Sequence, residues 1–374
     1  MIVGGGVVGL SLADCALREG LSVKVLDKGP MGREASWAGA GMLTCRPRPK
    51  RNGAEYDYHD LKLLSVKLHA EWARRLLEET GIDVGHRVCG AIELIVHSND
   101  TPTQRQAAAS FQEWIDACNA RGVRARMISA AEACRLEPAL TRDFASAIEF
   151  PDEAQVRNPR FVRALLASIK MKGGELCEGR QVADLFIEND TCRGVVLANG
   201  EKLQSKAVAI CAGAWTAQFP ALARAVPAIT KIAPVRGQIL CYQTDPKLAQ
   251  RLLTLDNHYL VPRGDGVLLV GATHDNAGFD KSITEEGTRE LQEFGHWILP
   301  ELRKLKPVHT WAGLRPGLKG KHPILGPVSK IAGLFINAGH YRNGLNLAPA
   351  SAQIVLSTIL AKTPEIPVKP WLPN

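Results

Sequence analysis

The chain has 374 residues, 45% apolar and 22% charged, a soluble globular composition too long for one simple core, so two domains are expected. No run of 18 apolar residues offers a membrane helix, and the ten histidines and nine cysteines hold neither an H-E-x-x-H motif nor a zinc spacing, so neither membrane nor metal is expected. The odd cysteine count, with no C-x-x-C pair and no signal peptide, points to a reducing cytoplasm. The net charge of +8 points to an anionic ligand or a nucleic-acid surface. The basic residues are spread out, apart from Arg46-Pro47-Arg48-Pro49-Lys50-Arg51, which reads as a solvated loop.

A short apolar start (Met1, Ile2, Val3) leads into Gly4-x-Gly6-x-x-Gly9, and an amphipathic helix follows from about Val7 to Arg18. In such a strand-turn-helix the first glycine allows the tight turn and the second lets backbone approach a pyrophosphate. The third lets the helix pack closely on the strand. The anion would sit on unsatisfied N–H groups at the positive helix end. Leu21 to Leu26 reads as a second buried strand ending in Asp27, eighteen residues after Gly9. That is close to the roughly 20-residue offset of a carboxylate that binds a ribose hydroxyl. The acid favours FAD or NAD over NADP, whose ribose phosphate it would repel.

Arg33 to Leu43 is a loop rich in small residues, and Ala35-Ser36-Trp37-Ala38-Gly39-Ala40-Gly41-Met42 is almost bare of side chains. Backbone there can touch a large flat ligand, with Ser36 donating to a phosphate; a tightly packed loop would also explain the glycines. Asp60 to Glu79 carries Leu61, Leu64, Leu68, Trp72 and Leu76 at helical spacing. Cys89–Val96 and Ala145–Phe150 read as strands, and Thr101-Pro102-x-Gln104 and Ser129-x-x-Glu132 as helix starts with capping chemistry. Residues 84–150 look like an insertion. Asn158-Pro159 opens a helix to Met171, followed by strands near Gln181–Glu188, Arg193–Ala198 and Ala207–Cys211. The last runs into Gly213-Ala214-Trp215, a turn resembling the first.

Ile232 to Trp311 reads as a second strand-rich block, including Gln238–Gln243, Tyr259–Arg263 and Val267–Thr273. In Trp311-Ala312-Gly313-Leu314-Arg315-Pro316-Gly317 a lone cation stands in an apolar strand. A buried arginine needs a partner, either another side chain or a substrate carboxylate held bidentately. Leu334–Asn337 is a strand that enters the glycine turn of Ala338-Gly339-His340-Tyr341-Arg342-Asn343-Gly344-Leu345, and an apolar helix leaves it from about Gly344 to Ala361. A reduced flavin is negative at its N1/C2=O edge, and helix N-terminal N–H groups stabilise such charge. NAD needs no second site of this kind, so the segment favours FAD. The expected fold is mixed α/β, a Rossmann-like FAD-binding domain with a discontinuous, antiparallel-sheet substrate domain. Residues 1–83, 151–220 and 318–374 would form the first, and 84–150 and 221–317 the second.

The fingerprint, the REASWAGAGML loop, WAGLRPG and GHYRNGLNLAP together resemble the D-amino-acid oxidase family, and within it the glycine oxidase branch that serves thiazole and thiamine synthesis. The resemblance spans essentially the whole chain, and the last two motifs are its specific part. It implies non-covalent FAD in a two-domain fold. Contacts would come from Gly4, Gly6, Val7, Val8, Gly9, Asp27, Lys28, Ala35, Ser36, Ala40, Gly41 and Met42. Val182 would reach the adenine with its backbone, and Gly339, His340, Tyr341, Arg342, Asn343, Gly344, Leu345 and Asn346 would form a cradle. Arg315 would bind the amino-acid carboxylate, Tyr259 would close the pocket with its hydroxyl, Arg342 would contact the substrate, and His274 would line the pocket. The implied reaction is oxidative deamination of a small amino acid with O₂ reduced to H₂O₂, by a homo-oligomer.

Four features depart from the family pattern. The first strand is short, as for a chain that starts late. Asp27 stands where glutamate is usual, Gly320-Lys321-His322 replaces an acidic turn, and His274 replaces a commonly apolar residue. Alternatives stay open in a D-amino-acid or N-methyl-amino-acid (sarcosine) oxidase or dehydrogenase, and in an RNA-modifying flavoprotein suggested by the basic balance. Against the last, no base-stacking aromatics interleave with the basic loop.

Overall fold

The computed structural model describes residues 1–47, 58–96, 101–318 and 322–373, with 101–109 described as backbone. Residues 48–51 of the basic cluster and Gly320-Lys321 lie outside them, as do the side chains of the Thr101 helix start. Two large sheets organise the rest. In the first, strands run in the order Ile324–Pro327, Leu334–Ala338, Val208–Ile210, Ile2–Val3, Lys24–Leu26, Glu175–Cys177; all neighbours are parallel except the first pair. The chain leaves Ile2–Val3 toward one edge and later returns on its other side. Gly4 therefore stands at a topological switch point, where open α/β sheets form their ligand crevice.

The helices Val7–Arg18 and Asn158–Met171 begin and end where their sequence signals place them. The strand expected over Leu21–Leu26 is only Lys24–Leu26. Gly20 adopts φ +77° and the Leu21 N–H donates to the Ala16 carbonyl at 3.1 Å, so Leu21 closes the helix instead of starting the strand. Helix Gly344–Ile359 packs against both Val7–Arg18 and His59–Thr80 beneath the sheet.

The second sheet has eight strands in the order His309–Gly317, Ala233–Gln243, Val267–Gly271, His258–Pro262, Leu252–Leu255, Ala91–Ile95, Ser146–Phe150, Arg126–Ser129. Its pairs are antiparallel except Leu252–Leu255 with Ala91–Ile95. Ser129 caps the helix Ala130–Leu136, its hydroxyl accepting from the Glu132 N–H at 3.2 Å. The block Ile232–Trp311 is not all strand: Glu285–Ile298 is a helix. Its signals are local, since the Thr284 hydroxyl accepts from the Gly287 N–H at 3.2 Å and Glu285 and Glu286 occupy the first turn. Leu291, Phe294, Trp297 and Ile298 then fall on one face against the sheet. Among the described helices none is long and apolar enough to cross a membrane.

Candidate active site

At the first turn Gly4 has φ +109°, and a Cβ on it would fall 2.3 Å from the Cys211 carbonyl oxygen. A Cβ on Gly9 would lie 2.0 Å from the Gly4 carbonyl oxygen, so only glycine lets helix and strand approach this closely. The Asp27 carboxylate accepts from the Gly5 N–H at 2.7 Å and the Gly29 N–H at 2.9 Å, tying the acid to the glycine turn. Ser36 Oγ accepts from the Val7 N–H at 2.8 Å, which leaves its proton to donate elsewhere.

The bare loop is small partly for packing. Gly41 has φ +71° with its Cβ position 2.0 Å from the Val156 carbonyl oxygen, and a Cβ on Gly313 would meet that of Ala38 at 2.5 Å. Arg263, in the YLVPR string but passed over in the sequence, holds this loop by donating to the Ala40 carbonyl at 2.9 Å.

The second turn has Gly339 at φ +81° and Tyr341 at φ +51°, and leads into Gly344–Ile359. Neither this helix nor Val7–Arg18 is capped by the side chain of its own N-cap residue, and neither carries an acid in its first turn. Apart from the Val7 N–H held by Ser36 Oγ, both positive ends face the cavity, where an anionic ligand would be stabilised. His340 is buried, and loss of hydration pushes its imidazole down to about 3, so it is neutral.

In the second sheet, Arg315 faces its diagonal neighbour Gly237, where a Cβ would fall 2.1 Å from Nη2. Arg315 Nη1 donates to the carbonyls of Thr273 at 3.0 Å and Arg236 at 3.4 Å, and among the described residues no carboxylate pairs with it. The Tyr259 ring occupies the space over Gly271, its register partner. The Tyr341 hydroxyl meets His274 Nε2, and Arg342 donates to Asn257 at Oδ1 (2.7 Å) and at the carbonyl (3.0 Å).

Asp27, Ser36, Tyr259, His274, Arg315 and the turn at 339–342 line one cavity of about 1900 Å³. Every site residue named from the sequence lines it except Gly9, which lies beneath the turn; Val182, Lys28 and Met42 are among them. The sequence reading missed several others. Asn158, read only as a helix start, donates from Nδ2 to the Ser36 carbonyl at 3.0 Å and lines the cavity with Asn337 and Trp215. Arg46 is no solvated residue. It is nearly buried on the cavity wall, donating to both Glu153 oxygens at 2.6 Å and to Glu93 at 2.7 Å, because the buried Glu153 and half-buried Glu93 carboxylates need its charge.

A dinucleotide fits this lining. Among the described residues, Asn158 Oδ1, Asn337 Nδ2 and Oδ1, His340 Nε2 and Asn346 Oδ1 are buried without a hydrogen-bond partner, and all four residues line the cavity. Such orphans are costly unless a ligand completes them. With two helix N-termini that carry no acid and face the cavity, and the Asp27 turn, they define a flavin-type dinucleotide oxidoreductase.

Comparison with known proteins agrees. The chain belongs to the DAO family of FAD-dependent oxidoreductases, whose model matches residues 1–357. It is 33% identical to the glycine oxidase of Pseudomonas aeruginosa and 34% to that of Pseudomonas putida, in each case over 100% of this chain and 98% of the relative. The crystal structure of glycine oxidase from Geobacillus kaustophilus superposes with a TM-score of 0.90 at 29% identity, covering 100% of this chain and 97% of that one.

Proposed function

We infer that the protein is an FAD-dependent oxidase of glycine or a similarly small amino acid. The observation that carries this is Arg315, a guanidinium on the cavity wall with no carboxylate partner among the described residues. Val7, Val8, Asp27, Ser36 and Met42 would hold the dinucleotide at one end and His340 to Asn346 at the other. Arg315 clamps the substrate carboxylate, Tyr259 closes over it and Arg342 bounds the pocket, so that the neutral amine and its α C–H are presented in one orientation. Bound FAD supplies an acceptor for the α-hydrogen and two electrons, which O₂ then takes up as H₂O₂. Glycine loses two hydrogens to become the imine, which water converts to glyoxylate and ammonia or which serves thiazole synthesis, the role that the motif resemblance implies.

We also propose the division into a FAD domain (1–83, 151–220, 318–374) and a substrate domain (84–150, 221–317), supported by the sheet to which each segment contributes strands. A cytoplasmic homo-oligomer is the matching proposal for its working state, supported by motif resemblance and by nine unpaired cysteines. The decisive test is the anaerobic visible spectrum. Yellow protein that bleaches with glycine and recovers, with peroxide, on admission of air supports the reading. Yellow protein that ignores glycine moves the substrate to a larger or N-methylated amino acid.

A further inference from the structure

Arg263 stands just past the strand His258–Pro262 that carries Tyr259, and its N–H extends the ladder by donating to the Val267 carbonyl at 2.8 Å. Strand alternation puts Tyr259, Val261 and Arg263 on one face, where Tyr259 and Val261 pack with Ala40. Every partner of the Arg263 guanidinium is a neutral oxygen. Nη1 donates to Gln155 Oε1 and to the Val156 carbonyl, and Nη2 to the Ala40 carbonyl, all at 2.9 Å. Among the described residues no carboxylate pairs with it, and the nearby Asp265 is taken by Arg157. Loss of hydration pushes the guanidinium down to about 10, which leaves it charged at neutral pH.

Stapling the loop needs only a neutral donor, and a charge kept apart from any acid is unfavourable. What the charge acts on is the peptide joining Ala40 and Gly41. That peptide is trans, so its N–H points opposite to its carbonyl. With the Ala40 carbonyl turned to Arg263, the Gly41 N–H is turned away from it. Gly41 spends its own carbonyl on the Val156 N–H at 2.9 Å, but among the described residues its N–H meets no acceptor, and Gly41 lines the cavity. A cation on the oxygen of a peptide polarises it and makes its N–H a stronger donor.

We propose that Arg263 is a positioning residue of the flavin site, fixing the Ala40 carbonyl and the Gly41 N–H and favouring, by its uncompensated charge, reduced over oxidised flavin. This rests on the cofactor reading above. Reduced flavin carries the extra negative charge, and a fixed donor and cation stabilise such charge without reorganising as it develops. Short of water, they are screened little. Arg315 thus holds the substrate, whereas Arg263 sets from behind the loop how readily the cofactor accepts electrons.

The test is the midpoint potential of the bound flavin, from anaerobic spectral titration of holoenzyme against a reference dye, with no glycine present. The midpoint reads the ratio of affinities for reduced and oxidised FAD, so a change that merely loosens the site weakens both and leaves it unmoved. In Arg263→Gln, which still donates but carries no charge, the ratio falls about tenfold, a midpoint about 30 mV below the parent for two electrons. Arg263→Lys keeps the charge and recovers most of that shift. If Arg263→Gln does not retain flavin, Gln155→Glu sets a carboxylate against the guanidinium and must lower the midpoint in the same way. An unmoved midpoint, or equal shifts in the Gln and Lys variants, overturns the proposal even where the FAD Kd rises in both. Bleaching of the parent by glycine, with the midpoint unmoved in the variant, sinks this inference alone. A parent that ignores glycine, with the midpoint shifted in the variant, sinks the substrate assignment alone.

Discussion

The Arg315 guanidinium occupies the space that a side chain on Gly237 would need, with a Cβ there only 2.1 Å from Nη2. The two residues sit on paired antiparallel strands, Arg315 opposite Val235 and Gly237 opposite Gly313. The missing side chain at 237 thus aims the cation along the cavity wall. Gly237→Ala should displace Arg315 with little loss of fold. We expect KM for glycine to rise about tenfold or more, since misplacing a charged hydrogen bond forfeits ~1.5–3 kcal/mol. Steady-state kinetics that match the parent would show that Arg315 does not need this space.

Removing the cation itself should cost more. Arg315→Ala is expected to lower kcat/KM for glycine by about a hundredfold or more, as truncating a charged partner typically costs ~2–5 kcal/mol. Arg315→Lys keeps the charge without the fork and should fall between the two. Flavin content should be unaltered in both, which separates loss of substrate binding from loss of cofactor.

Asp27 ties Gly5 to Gly29 through its two oxygens, so it supports the turn as well as facing the cavity. Asp27→Ala should weaken FAD binding about tenfold to a hundredfold, on the scale of one charged hydrogen bond. Purified protein that retains full yellow colour after extensive dilution would contradict this.

Acidification should weaken the fold through buried histidines. His69 donates from Nε2 to the Leu345 carbonyl at 3.0 Å, and burial pushes it down to about 4, as it pushes His340 down to about 3. An unfolded histidine takes its proton near 6.5. Below that pH the unfolded chain binds more protons, so this contribution is whole above about pH 6.5 and drains away as pH falls toward 4. The slope is about 1.4 kcal/mol per pH unit for each such histidine. Urea unfolding at pH 7 and pH 5 should show His69→Gln losing less stability on acidification than the parent; equal losses would place the acid sensitivity elsewhere.

What could be read along the chain was short in range. The Gly9 approach to the Gly4 carbonyl, the capping serine at 129 and the proline in the first turn of Asn158–Met171 are all satisfied within a few residues, by turn sterics and local hydrogen bonds. The helix Glu285–Ile298 was equally legible in Thr284-Glu285-Glu286 and its apolar face, and was hidden only because the strands around it dominate the block.

Tertiary structure decided where charges go and what meets across the cavity. Nothing within six residues of Arg46 reveals Glu93 or Glu153, and so a nearly buried ion-pair hub carries the sequence of a solvated loop. The strands that place Arg315, Gly237, Tyr259 and Gly271 together take their register from partners tens of residues away. Side-chain chemistry and turn geometry are properties of neighbours in sequence. The desolvation of a charge, and the void that a glycine leaves for it, exist only once distant strands have packed.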